Sequence, residues 1–218
     1  MLFIVKNVYS SYQHSIICVG DSITHGSGCS NMSWTSYPAR LQQILSHSIN
    51  ISDIQNYGVK GATAQRKSHN SYWNTGMYRD ALNRQNLSSI IIQLGSNDAI
   101  YKIWNISAFI SDYKDLIKSF RERNPLAQVF ICIPPPIYGQ YAATKINTTV
   151  VNLMLPSIIS DIGKETGSHI IDFYTPLGGN GTRLTRPDYF VRDGVHPNDK
   201  GYLEIANVVA VEVLRCIS

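Results

Sequence analysis

A serine stands directly after a short apolar run in Ile16-Ile17-Cys18-Val19-Gly20-Asp21-Ser22-Ile23-Thr24. Serine is a weak nucleophile at neutral pH and needs a base to take its proton. The far end of the chain offers one in Asp193-Gly194-Val195-His196-Pro197-Asn198. With Asp193 three residues before His196, a tight turn brings the carboxylate to one imidazole nitrogen and leaves the other for Ser22. Serine, aspartate and histidine in that chain order are the parts of a hydrolytic triad. Gly194 permits the turn, and Pro197 with Asn198 opens a helix that anchors it. His25, three residues after Ser22, is a rival base by proximity. It ranks below His196 because its side chain, one turn along, points away.

Acyl transfer also needs donors for the developing oxyanion. Three are at hand: the N–H of Ser22, the N–H of Gly61 in Asn56-Tyr57-Gly58-Val59-Lys60-Gly61-Ala62-Thr63, and the side-chain amide of Asn97 in Gly95-Ser96-Asn97-Asp98. Taken singly, each block also reads as an ordinary glycine turn or helix cap. Together with the serine and histidine segments they form one constellation.

Elements that deliver these residues to one place are legible. Short apolar runs predict strands at Ser15–Val19, Ile51–Gln55, Ser89–Leu94, Gln128–Ile133 and His169–Asp172. Ile90-Ile91-Ile92 and Val129-Phe130-Ile131 are continuous rather than alternating, as in strands of a parallel sheet buried on both faces. Helical patterns alternate with them. After Ser107 as N-cap, Phe109, Ile110, Tyr113, Leu116, Ile117 and Phe120 make one apolar face that ends before Asn124-Pro125. A second helix is expected over 148–167 with a kink or break at Pro156, and a last from near Asn198 to about Arg215. The expected fold is α/β: a three-layer α/β/α sandwich about a five-stranded parallel sheet, with residues 1–218 as one domain. Open sheets of this kind place their sites at the carboxyl ends of the strands.

Composition excludes several classes. The 218 residues carry a net charge of +4, with 16% charged residues scattered rather than striped, so a nucleic-acid partner is not expected. No apolar run approaches the roughly 18 residues of a membrane span, and Met1-Leu2-Phe3-Ile4-Val5 is too short for a secretory signal, so neither membrane insertion nor an export signal is expected. Cys18, Cys29, Cys132 and Cys216 include no Cys-x-x-Cys pair, and His14, His47, His69 and His169 show no metal-ligand spacing. The expectation is a site with no metal and no cofactor. The loop after the first strand, with Gly20, Gly26 and Gly28, makes no nucleotide-binding fingerprint. Asn31, Asn50, Asn86, Asn105, Asn147 and Asn180 each begin an N-glycosylation sequon, which points weakly to a secreted or luminal protein.

The four blocks resemble those of the SGNH, or GDSL-type, serine hydrolase superfamily, in order and spacing over nearly the whole chain. The matching residues are Ser22, Gly61, Asn97 and Asp193 with His196; Ile23 stands where the eponymous motif has leucine. The resemblance implies a flavodoxin-like fold, metal-independent ester hydrolysis, a Ser22–His196–Asp193 triad and an oxyanion hole from Ser22, Gly61 and Asn97. Ser71-Tyr72-Trp73-Asn74-Thr75, Asp112-Tyr113-Lys114 and Pro134-Pro135-Pro136 with Tyr138 are similar to a branch acting on carbohydrate O-acetyl esters, including sialate O-acetylesterase-like proteins. Tyr72, Trp73, Trp104 and Tyr138, with Tyr101 and Tyr141, are accordingly candidates to stack on a sugar. A small-molecule or glycan ester is thus the expected partner. The alternatives are a lysophospholipase, thioesterase or arylesterase on the same scaffold, and, from another class, a non-catalytic carbohydrate-binding module.

Overall fold

The computed structural model describes residues 13–138, 145–180 and 186–217. Its first strand, β1 (His14–Gly20), is buried at every position. Ile17 and Val19 enter one apolar core and Ile16 and Cys18 the other, which is why the run does not alternate with polar residues. β3 (Ser89–Gln93) divides likewise, Ile90 and Ile92 against Ile91, and so does β4 (Gln128–Ile133), Val129 and Ile131 against Phe130 and Cys132. With β2 (Ile51–Gly58) and β5 (His169–Asp172) at the edges, the sheet order is β2-β1-β3-β4-β5, parallel at every pairing.

Two short helices, α1 (Ser22–His25) and α2 (Met32–Thr35), lead into α3 (Tyr37–Leu45). On one face of the sheet lie α4 (Gly76–Leu82), α5 (Ile106–Arg123) and α6 (Leu155–Thr166). On the other lie α3 and α7 (Asp199–Ile217). The result is the three-layer α/β/α arrangement that the alternation of runs predicts.

Boundaries differ from the sequence reading in places, each for a physical reason. The N-cap of α5 is Asn105, not Ser107: its Oδ1 accepts from the Ala108 N–H at 2.9 Å, and asparagine is among the strongest caps. The interruption expected at Pro156 lies upstream, in a π-type segment over Val150–Met154. Pro156 instead falls in the first turn of α6, where its missing N–H costs nothing. β2 runs on to Gly58 and carries Asn56 into the sheet. Three of the sequon asparagines serve as caps: Asn31 and Asn105 at helix starts, and Asn147, whose Oδ1 accepts from the Val150 N–H at 3.3 Å.

The chain passes from β1 outward to β2 and returns to β3 on the other side of β1. That topological switch point opens a crevice at the carboxyl rim. Gly20 pairs level with Gly58 and with Gln93, so three strand ends stop at one height. A Cβ on Gly20 would collide with the Thr24 side chain and the Gln93 carbonyl, so only glycine lets the chain turn here.

Candidate active site

Ser22 is the first residue of α1, immediately beyond the β1 tip. Asp21 caps that helix, its Oδ1 accepting from the Ile23 N–H at 2.8 Å. At the first helical position, the Ser22 N–H has no intrahelical partner. The Ser22 Oγ meets the His196 Nε2 at 3.0 Å, and His196 Nδ1 meets Asp193 Oδ2 at 2.6 Å. The other carboxylate oxygen of Asp193 accepts from the backbone N–H groups of Val195 (2.8 Å) and His196 (2.9 Å). Gly194, at φ 66°, supplies the left-handed residue this turn needs. Partial burial raises the Asp193 carboxyl, but the hydrogen bonds from His196 and the two N–H groups outweigh it and hold the group below its ordinary value. Ionised Asp193 only accepts, so Nδ1 carries the ring proton and Nε2 presents a lone pair to the serine hydroxyl. The arrangement can deprotonate Ser22 as it attacks a carbonyl.

A cavity of about 170 Å³ opens on this pair. Ile23, Ser96, Asn97, Lys145, Ile146 and Val195 line it beside the three triad-type residues. Asn97 is thus brought to the serine. Its Nδ2 donates to the Ala62 carbonyl at 3.1 Å, which ties the loop after β2 to the loop after β3. The second N–H of that amide has no partner among the described residues. Gly61, at φ 77°, is in the tied loop but does not line the cavity.

The aromatic candidates are not brought there. Tyr72 is wholly buried, its hydroxyl donating to the Tyr57 carbonyl at 2.8 Å, so it is a core residue and cannot stack on a sugar. Trp73 donates to the Ala64 carbonyl and lies under the Arg66 guanidinium, 3.9 Å from ring centroid to cation. Trp104 packs against Phe109 in the same core, and the Tyr138 hydroxyl pairs with that of Tyr174 at 3.2 Å. None of these four lines the cavity at Ser22. Tyr101 is exposed and also outside the lining, and Tyr141 lies outside the described residues. All four cysteines are free thiols. Among the described residues no group of three or more His, Cys, Asp or Glu could hold a metal ion, and no helix is long and apolar enough to cross a membrane.

Residues outside the motifs hold the two halves together. Tyr202 on α7 donates to the Ser27 carbonyl at 2.7 Å, and Asp199 accepts from the Ser30 N–H (2.8 Å) and hydroxyl (2.6 Å). These bonds clamp the loop after α1 to the start of the helix that follows His196. Asp98, buried behind Asn97, accepts from the N–H groups of Ala64 and Gln65 at 3.0 and 2.9 Å. Its place next to Asn97 is the one sequence signal for it.

Burial pushes the Asp21 carboxyl up to about 7 and that of Asp98 up to about 6, against the pull of their backbone hydrogen bonds. An acid raised above its ordinary ~3.9 favours the folded state only while protonated. That contribution is complete below about pH 4 and is lost as the pH climbs through the raised value. Asp53 is held low by Ser15 and Arg84 despite partial burial, so it and Asp193 act in the opposite sense and only in more acid solution. Asp21→Asn keeps an acceptor for the Ile23 N–H and cannot ionise. Its melting temperature relative to the wild type should therefore rise between about pH 5 and 7 and level off above that. A difference that stays constant over that range would show that Asp21 titrates as an ordinary carboxyl.

Comparison with known proteins places these features in a family context. The model of the GDSL-like lipase/acylhydrolase family matches residues 18–203. The chain is 29% identical over 216 residues to an acetylxylan esterase of Xylanibacter ruminicola, an alignment that covers 91% of this chain and 42% of that protein. The chain thus spans less than half the length of that curated relative. A carbohydrate acetylesterase family member from Sinorhizobium meliloti superposes with a TM-score of 0.71 at 19% identity, over 93% of this chain and 98% of the other. The aryl esterase of M. smegmatis gives 0.70 at 16% identity, over 94% and 100%. At such identities the two structures speak for the fold.

Proposed function

The chain belongs to the GDSL-like lipase/acylhydrolase family, and from that membership we propose that it is a serine esterase removing small acyl groups, acetyl foremost, from carbohydrate. The observation that carries the reading is the unbroken line from Asp193 through His196 to Ser22, at 2.6 and 3.0 Å. In this mechanism Ser22 Oγ attacks the ester carbonyl as its proton passes to His196 Nε2. Asp193 stabilises the imidazolium. The N–H groups of Ser22 and Gly61 and the second amide hydrogen of Asn97 receive the oxyanion. His196 then returns the proton to the departing sugar hydroxyl, and water repeats the sequence on the acyl-serine.

Acyl size follows from the walls. The space beside Ser22 is about 170 Å³, and Ile23, Ile146 and Val195 make up its apolar lining. Among the described residues, that volume suits an acetyl group with part of its alcohol. The support for a sugar alcohol is the acetylxylan esterase that shares 29% identity with this chain.

A series of p-nitrophenyl esters from acetate to palmitate, with acetylated xylan beside it, tests the proposal. The expected result is kcat/KM highest for acetate, falling by about tenfold or more by the octanoate, with acetate released from the polymer. A maximum at the long chains would favour a lipid substrate. No turnover of any ester by folded protein would remove the esterase reading altogether.

A further inference from the structure

The carboxyl rim carries a second and larger concavity. It is a groove of about 540 Å³, within the range of roughly 300–1,000 Å³ typical of small-molecule sites. Its walls come from α2, α3 and the edge strand β2, with His25 of α1 and Met77 of α4 at its margins. Among the described residues, no Asp, Glu, Lys or Arg lines it.

Three large apolar side chains stand out into solvent there: Trp34 is 64% exposed, Met32 49% and Met77 42%. Single exposed hydrophobes need no explanation, but a cluster drawn from two separate helices marks a contact surface. Trp34 is also held fixed. Its short helix is pinned by Asn31 Oδ1 accepting from the Ser33 N–H (3.0 Å), by the Thr35 hydroxyl on the Asn31 carbonyl (3.0 Å) and by the Ser36 hydroxyl on the Met32 carbonyl (2.6 Å). Gln43 Nε2 donates to the Trp34 carbonyl itself at 3.0 Å. The backbone that carries the indole is therefore pinned, which lowers the ordering cost of the turn when a ligand covers it.

The polar groups in the groove are side-chain amides (Gln42, Gln43, Gln55, Asn56), the hydroxyls of Ser33 and Ser36, and the His25 imidazole at one margin. The side-chain amides of Gln42 and Gln55 make no hydrogen bond among the described residues and face the same groove. An amide both donates and accepts, which is what a row of hydroxyl groups requires. A phosphate, a uronate or a nucleic acid would call for arginine or lysine, and none of the described residues lining the groove is one, Lys60 acting only from beside His25. An exposed indole beside uncharged amides fits the apolar C–H face and hydroxyl edge of a neutral sugar. The groove also reaches toward the site: His25 lies one helical turn after Ser22, and Gly58, at its floor, lies three residues before Gly61.

We propose that this groove binds a neutral carbohydrate chain, with Trp34 as the stacking platform and Gln42 and Gln55 as hydroxyl partners, so that sugar units flanking the acylated one are held beside Ser22. The proposal extends the carbohydrate-ester reading above. The test uses protein made in a bacterial host, so that Asn31 at the groove edge carries no glycan. Native gels containing deacetylated xylan, glucomannan or mixed-linkage β-glucan should retard the wild type and Ser22→Ala in at least one case. Trp34→Ala should migrate there as in a plain gel. On acetylated xylan Trp34→Ala should raise KM about tenfold, the loss of one aromatic stack, while its kcat/KM for p-nitrophenyl acetate stays unchanged. Absence of retardation with all three polymers, or equal retardation of wild type and Trp34→Ala, would overturn the proposal. So would a Trp34-dependent dimer in sedimentation, which would make the groove an interface between copies. Wild-type protein that binds polymer through Trp34 but turns over no p-nitrophenyl acetate would sink the esterase reading and leave the groove standing.

Discussion

Ser22→Ala should lower kcat for p-nitrophenyl acetate by a factor on the order of 10⁴–10⁶ and leave the fold intact. Among the described residues the hydroxyl has one partner at hydrogen-bond distance, His196 Nε2, and both residues are partly open to solvent. Removing it leaves no buried polar atom stranded and no cavity in either core. The lost rate is therefore chemical: attack by Oγ has no substitute, and what remains comes from substrate binding and the oxyanion donors. Turnover and thermal melting measured on one preparation decide the matter. A variant that melts like the wild type and keeps near-normal turnover would take Ser22 out of the mechanism.

Asp193→Asn should cost about 10⁴ in kcat with little change in KM, although it alters a single atom. The retained oxygen can still accept from the Val195 and His196 N–H groups, so the turn survives. The new NH₂ group then replaces the carboxylate oxygen 2.6 Å from His196 Nδ1 and donates to it. Nδ1 must now be the unprotonated nitrogen, and the ring proton moves to Nε2, where it faces Ser22. The base has lost its lone pair. A fall of less than tenfold, with the fold intact, would show that the His196 tautomer is set by something other than Asp193.

Motif spacing singles out the residues of the proposed triad, because a nucleophile, a base and an orienting acid each need a particular residue type. Ser22, Asp193 and His196 meet as the Asp-Gly-x-His turn predicts, and Asn97 joins them. The strands were legible for a related reason: a strand buried on both faces must be apolar at every position, as Ile90-Ile91-Ile92 is. What could not be read was the direction of each aromatic. Tyr72, Trp73, Trp104 and Tyr138 sit on rim loops, yet whether a ring turns inward or outward depends on which carbonyl its polar atom can reach. Tyr72 finds the Tyr57 carbonyl and Trp73 that of Ala64, both inside. Trp34 has no such partner among the described residues and stays out, in a segment where periodicity carries no information. The clamps by Tyr202 and Asp199 were equally hidden, since they join residues more than 160 positions apart.

That separation governs when the proposed triad can assemble. Ser22 and His196 are 174 residues apart in sequence, and their meeting depends on α7 docking against α3 with its ties to Ser27 and Ser30. In a chain being synthesised, Ser22 emerges long before His196, so the proposed triad cannot assemble until α7 has been made and has docked. Closing a loop of that length is entropically costly and comes late. On the proposed mechanism, turnover of an ester therefore reports that these two distant segments have found each other.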